Sequence, residues 1–216
     1  MKLNIKIPSS LKEITLRQYK SYLKLQETVK EERFLNAKMI EIFCNVELKD
    51  VMLLKLNDSN EILSILSKLF ESKPSLVSKF KLNGLEYGFQ PQLDDMTLGE
   101  YIDLDTYIGD WENMEKAMNV LYRPVIVKLK EKYSIEEYNT ETSEQLLDMP
   151  MDAAMSSIFF LWNLGLELSK TMTSSLAEEE TEVLTQYLNS QKSGVGINQF
   201  TDSLKGILQD LKISLN

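Results

Sequence analysis

The spacing of apolar side chains divides the chain into helical stretches interrupted by one segment of strict alternation. Leu16, Tyr19, Tyr22 and Leu23 fall on one helical face, and Thr15 followed three residues later by Gln18 has the form of a capping box. A second helix is predicted over about 31–44, with Phe34, Leu35, Ile42 and Phe43 inward. Asp58 and Glu61 make another capping-box pattern ahead of Ile62, Ile65, Leu66, Leu69 and Phe70, which recur at the helical period. Thr97 with Glu100 opens a further helix. Asp110 caps one that carries Trp111, Met114, Met118 and Leu121, and Arg123-Pro124 interrupts it before a last helical piece to about Tyr133.

Residues 134–149 are polar and acidic and predict a loop with at most one helical turn. Pro150 suits the first turn of an apolar helix over 151–168. Ser174-Ser175 predicts the start of an acidic amphipathic helix with Leu176, Val183, Leu184, Tyr187 and Leu188. Residues 193–196 (Ser-Gly-Val-Gly) read as a break, and Asn198 caps a final helix with Phe200, Leu204, Ile207, Leu208 and Leu211 on one face.

The period switches to two over residues 79–90. Phe80 and Leu82 alternate with polar neighbours, Asn83-Gly84 follows, and Leu85, Tyr87 and Phe89 alternate again. Asparagine and glycine tolerate the positive φ angles of a type I′ turn, so an antiparallel hairpin is predicted. Leu3, Ile5 and Ile7 alternate too, and a strand ended by Pro8 is the candidate third member of that sheet. The fold class expected is mainly α: helical hairpins with a small antiparallel β-hairpin at about 79–90. Residues 1–148 form the expected main domain and 149–216 a C-terminal helical segment.

One pattern recurs. Residues 11–19 (Leu-Lys-Glu-Ile-Thr-Leu-Arg-Gln-Tyr) and 93–101 (Leu-Asp-Asp-Met-Thr-Leu-Gly-Glu-Tyr) share leucine, two polar residues, an aliphatic residue, a capping threonine, leucine and tyrosine at the same places. Duplication of a capped helical hairpin and two independent capped helices both account for it.

Composition narrows the chemistry. Hydrophobic residues make up 43% and charged residues 26% of the 216, which suits a folded globular chain. The net charge of −9 opposes a nucleic-acid partner, and the local bases Lys2, Lys6, Lys12, Arg17, Lys20 and Lys24 read as a solvated helix face. No leader is expected, because residues 1–7 alternate and lack a long apolar run. Residues 151–168 include Asp152, Ser156, Ser157, Asn163 and Glu167, so a buried helix is expected there and no membrane span. The ten methionines, Met149, Met151 and Met155 among them, are expected to fill core gaps.

The sequence has no histidine and one cysteine, Cys44. Imidazole bases, Ser-His pairs, histidine metal ligands, zinc knuckles and iron–sulfur clusters are therefore excluded, and a lone cysteine closes no internal disulfide. Cys44 reads as a small apolar filler. Residues 194–196 lack the lysine and framing strand of a phosphate loop. Carboxylate-only catalysis is the enzymatic chemistry left open. The densest acidic run is Asp94, Asp95, Glu100, Asp103, Asp105, Asp110 and Glu112, in which Glu100 and Asp103 share a helix face but do not match a calcium-loop pattern. No cofactor and no metal ligand set is expected. Arg123 is expected to pair with an acid of that run, such as Asp103 or Asp105, and to fix a helix-to-helix geometry. The expected partner-binding residues are Tyr101, Asp103 and Asp105 against a basic surface, and Phe200, Leu204, Leu208 and Leu211 on the last helix.

Residues 80–89, 96–105 and 120–125 (Phe-Lys-Leu-Asn-Gly-Leu-Glu-Tyr-Gly-Phe; Met-Thr-Leu-Gly-Glu-Tyr-Ile-Asp-Leu-Asp; Val-Leu-Tyr-Arg-Pro-Val) resemble virion or tail-gene-cluster proteins of tailed bacteriophages, those of crass-like phages in particular. The resemblance spans about residues 1–138 and is sharpest over 80–125; it carries no catalytic signature. It implies a non-catalytic structural protein, virion-associated at the portal–tail assembly or packaged as cargo, with other phage structural proteins or further copies of itself as partners. The alternative it implies is a tail assembly chaperone, present in the host cytoplasm during assembly and absent from the mature virion.

Overall fold

Two threonines begin the helices that frame the body, and both cap as their spacing predicts. In the computed structural model, which describes residues 4–130 and 132–178 with side-chain surroundings as far as 168, the Gln18 N–H donates to Thr15 Oγ1 at 3.2 Å while Gln18 Oε1 accepts from the Thr15 N–H at 2.9 Å. The same reciprocal pair joins Thr97 and Glu100. The helices are α1 (Leu16–Thr28), α2 (Glu32–Cys44), α3 (Leu48–Val51), α4 (Leu56–Phe70), α5 (Leu98–Tyr107), α6 (Met114–Leu121) and α7 (Met151–Glu178). Between α4 and α5 lie β1 (Lys79–Leu82) and β2 (Leu85–Phe89); between α6 and α7 lie β3 (Tyr122–Leu129) and β4 (Lys132–Ile135).

Among the described residues the strands make one antiparallel sheet in the order β1-β2-β3-β4. The β1–β2 hairpin turns at Asn83 (φ 50°) and Gly84 (φ 82°), the left-handed pair expected of a type I′ turn. The helical piece expected up to Tyr133 is instead β3 and the first half of β4. Val125-Ile126-Val127 is a β-branched run that fits a pleated sheet better than a helix, and Pro124 stops α6 from continuing. β3 serves two partners. Its first residues pair with β2 (Tyr122 opposite Phe89, Pro124 opposite Tyr87) and its remainder with β4, with a register shift between Val125 and Val127.

At the shift, β4 turns back across β2. The Tyr133 ring lies over Gly88, and its hydroxyl donates to the Phe89 carbonyl at 2.6 Å. A methyl at position 88 would collide with that ring and touch Val125, so only glycine lets the sheet close here.

Several sequence-based boundaries move. Among the described residues no N-terminal strand is present: residues 4–8 make no ladder, although Ile5 and Ile7 pack against the core. The opening segment finds its pairing elsewhere, at an isolated bridge between Thr15 and Pro150 in which Leu16 N–H donates to the Met149 carbonyl and Met151 N–H to that of Ile14. α4 starts at Leu56, so Asp58 sits in its first turn, where its charge faces the helix dipole, rather than at a cap. Thr140–Asp148 is a 3-10 helix, longer than the single turn expected, because Leu146 is drawn fully into the core against α6. α7 runs unbroken through Ser174 and Ser175, since no glycine or proline interrupts residues 166–178. Ser193 to Gly196 and the helix expected after Asn198 lie outside the described residues.

The core joins α6, the 3-10 helix before Asp148 and the first turns of α7. Met114, Met118, Met149, Met151 and Met155 are all fully buried there, as the methionine pattern predicts, whereas Met52 is exposed. Tyr122 sits at its centre against Phe80 and Phe89 (centroids 5.2 and 5.3 Å), and its hydroxyl donates to the Val77 carbonyl at 2.8 Å. A second aromatic group, Tyr19 with Phe70 and Trp111, and Phe43 with Phe70, joins α1, α2 and α4 to the residues before α6.

Gly88→Ala is expected to lower stability by about 1–3 kcal/mol. In a urea-denaturation cycle with Tyr133→Ala, the two losses should add to less than their sum, because removing the ring removes the collision.

Candidate interaction surfaces

Glu100 lies within the densest acidic run, and the structure gives it a structural task. Its Oε2 accepts from the Thr97 N–H (2.7 Å) and hydroxyl (2.9 Å), and its Oε1 meets Arg123 Nη1 at 2.8 Å. Arg123 Nη2 donates to Gln90 Oε1 at 3.1 Å, and the Gln90 N–H donates to the Leu121 carbonyl. Both charged side chains are more than nine-tenths buried. Arg123 thus pairs with Glu100 and not with Asp103 or Asp105, and it joins α5 to the sheet rather than one helix to another. The cap explains the choice: it turns the Glu100 side chain back to the start of α5, where the end of β2 and the start of β3 arrive.

Asp103 is also used internally, accepting from the Tyr138 hydroxyl at 2.8 Å. Leu104 and Ile108 enter the core. With Glu100, Asp103, Leu104 and Ile108 inward, the opposite stripe of α5 is Leu98, Tyr101, Ile102 and Asp105, spaced i, i+3, i+4 and i+7. Tyr101 and Asp105 therefore share one face, and Asp103 lies on another. Leu98 and Ile102 complete the outward stripe; their spacing on the predicted helix was legible, but the sequence does not say which apolar face the body covers.

The recurring motif makes the contrast quantitative. Both copies form a 3-10 turn (Leu11–Glu13; Leu93–Asp95), an extended residue, a capping threonine and a helix. In the first copy Leu16 is 0% and Tyr19 6% exposed, covered by Phe70 and Trp111 among others; in the second the equivalent Leu98 is 75% and Tyr101 42% exposed. The local sequence repeats and the tertiary environment does not.

Two further exposed apolar groups were not singled out by sequence. Met52, Leu53 and Leu56, each at least 70% exposed, cluster at the turn from α3 into α4. Ile126, Val127 and Leu129 stand exposed on the β3–β4 hairpin. Continuous apolar runs signal burial in most chains, so neither exposure could be read from pattern alone. Phe200, Leu204, Leu208 and Leu211 lie outside the described residues.

Three of the basic residues near the N-terminus, Lys6, Arg17 and Lys20, pair with acids. Arg17 grips Asp148 through Nε (2.7 Å) and Nη2 (3.1 Å), Lys20 pairs with Glu115, and Lys6 with Glu13 at 2.9 Å. The Arg17 guanidinium holds the Asp148 carboxyl below its ordinary range. Arg17, Lys20 and Lys24 do line a groove of about 410 Å³, but Glu27 and Glu112 share its walls. Cys44 is buried, and desolvation pushes its thiol up to about 11, which leaves it protonated at neutral pH as a packing residue. Among the described residues, no group of three or more acids or thiols is placed to hold a metal ion, and no helix is long and apolar enough to cross a membrane.

Comparison with protein-family models, curated proteins and solved structures finds no match. The surfaces themselves therefore carry the functional reading.

Arg123→Met leaves the Glu100 carboxylate buried without its cation and is expected to cost about 3–5 kcal/mol. Adding Glu100→Gln, which retains an acceptor for the cap, should recover part of that loss in urea denaturation. An Arg123→Met chain as stable as the parent would remove the clasp role.

Proposed function

We propose that this chain is a non-catalytic structural protein of a tailed phage, virion-associated at the portal–tail assembly or as packaged cargo, and that it works by binding other proteins. The supporting observation is the set of three exposed apolar groups on separate elements of a well-packed body: Met52, Leu53 and Leu56; Leu98, Tyr101 and Ile102; Ile126, Val127 and Leu129. Each such side chain forgoes about 1–2 kcal/mol relative to full burial. A chain that leaves three groups in this state while burying Met114, Met118, Met149, Met151 and Met155 completely has surface to offer to neighbours. A subunit held between neighbours needs several such patches at once, whereas a free enzyme needs a cleft with convergent polar groups. Two acids of the densest run, Glu100 and Asp103, are engaged internally with Thr97, Arg123 and Tyr138.

The resemblance of residues 80–125 to tail-gene-cluster proteins selects the phage particle as the setting. Mass spectrometry of purified particles tests the reading: the chain is expected in mature virions at a fixed copy number. Its presence in infected cells with absence from particles would replace this reading with that of a tail assembly chaperone.

A further inference from the structure

The outward stripe of α5 and the β3–β4 hairpin are matched in two respects. Both are apolar and exposed, and they carry opposite charge. Residues 93–107 contain five acids and no base; Glu100 is neutralised by Arg123, whereas Asp94 and Asp95 are exposed beside Leu98. Residues 126–134 contain three lysines, Lys128, Lys130 and Lys132, against one acid, Glu131. Lys128 reaches Glu86 on β2, while Lys130 and Lys132 are exposed near the hairpin turn, where Lys130 takes φ 58°. In a chain of net charge −9 this hairpin is a locally positive, apolar finger.

One acid from the turn before α5 and one lysine from the hairpin meet the same groove. Asp94 and Lys132 stand on the rim of one open groove of about 850 Å³, walled by Leu76, Phe89, Leu93 and Phe160. Contact between equivalent surfaces of two copies would set acid against acid or lysine against lysine, which is unfavourable. Exchange avoids this: hairpin against stripe sets unlike charges together and buries apolar side chains on both sides.

We infer that the α5 stripe of one copy packs against the β3–β4 hairpin of a second copy, with Leu98, Tyr101 and Ile102 against Ile126, Val127 and Leu129 and the lysines facing Asp94, Asp95 and Asp105. Made reciprocally about a two-fold axis, the same contact occurs twice and gives a closed dimer. The inference rests on the proposed reading that these exposed surfaces serve protein contacts, and it names the partner for two of them.

The test uses the full chain in sedimentation and light scattering at about 0.1 M and about 1 M salt, where the screening length falls from roughly 10 to 3 Å. The parent chain is expected to run as a dimer that dissociates several-fold more readily at the higher salt. Lys130→Glu/Lys132→Glu and Asp94→Lys/Asp95→Lys should each weaken the dimer at least about tenfold, a change of about 1.4 kcal/mol, with an unchanged circular dichroism spectrum. A chain carrying all four substitutions should dimerise again. A parent chain that is monomeric at both salts, a dimer that neither reversal weakens, or a fourfold variant that stays monomeric overturns the inference. These outcomes are separate from particle composition: a monomer found in virions sinks only the self-contact, and a dimer missing from virions sinks only the virion assignment.

Discussion

A buried carboxylate, Glu100, holds α5 to the sheet, and the placement of the exposed surface follows from it. One oxygen completes the helix cap and the other neutralises Arg123, so a group that would be costly to bury alone is satisfied on both sides. Arg123 in turn fixes Gln90 at the end of β2, and Asp103 takes the Tyr138 hydroxyl. Polar contacts on the inward face thus turn Leu98, Tyr101 and Ile102 to solvent. The stripe is presented by a firmly held helix, and a partner that met it would spend little free energy on ordering it.

Where a local signal has a local cause, it was legible. The boxes at Thr15 and Thr97 and the turn at Asn83-Gly84 each depend on a few adjacent residues, and each forms as expected; Asp110 caps only the 3-10 turn Trp111–Asn113, and α6 begins after it at Met114. Where tertiary contact decides, the sequence was silent or misleading. Residues 122–135 could not be told from a helix by hydrophobicity, because half of that hairpin faces water and shows no clean alternation. The N-terminal alternation suggested a strand, but the chain pairs Thr15 with Pro150 instead. An acid partner for Arg123 was anticipated; that Glu100 would be chosen depends on a cap geometry visible only in three dimensions. Of the acidic site, Tyr101 and Asp105 share the outward face, and Asp103 does not.

The repeated motif at residues 11–19 and 93–101 separates the two kinds of information. The same order of residues gives the same 3-10 turn, cap and helix start in both places. One leucine–tyrosine pair is then covered by aromatic neighbours and the other is left in water. Local sequence determines the shape of the unit, and the surrounding chain determines whether its apolar face is core or surface.

The bridge between Thr15 and Pro150 also bears on how the chain is made. Arg17 and Asp148, beside it, are 131 residues apart along the backbone. A polypeptide leaving the ribosome from its amino end forms the α1–α2 hairpin early, since that needs only nearby residues. The front of α1, with Ile14 and Leu16, must then stay uncovered until the segment around Met149 and Met151 has been synthesised. The last part of the described body to emerge is therefore what closes the first, and an interrupted nascent chain would expose that apolar end.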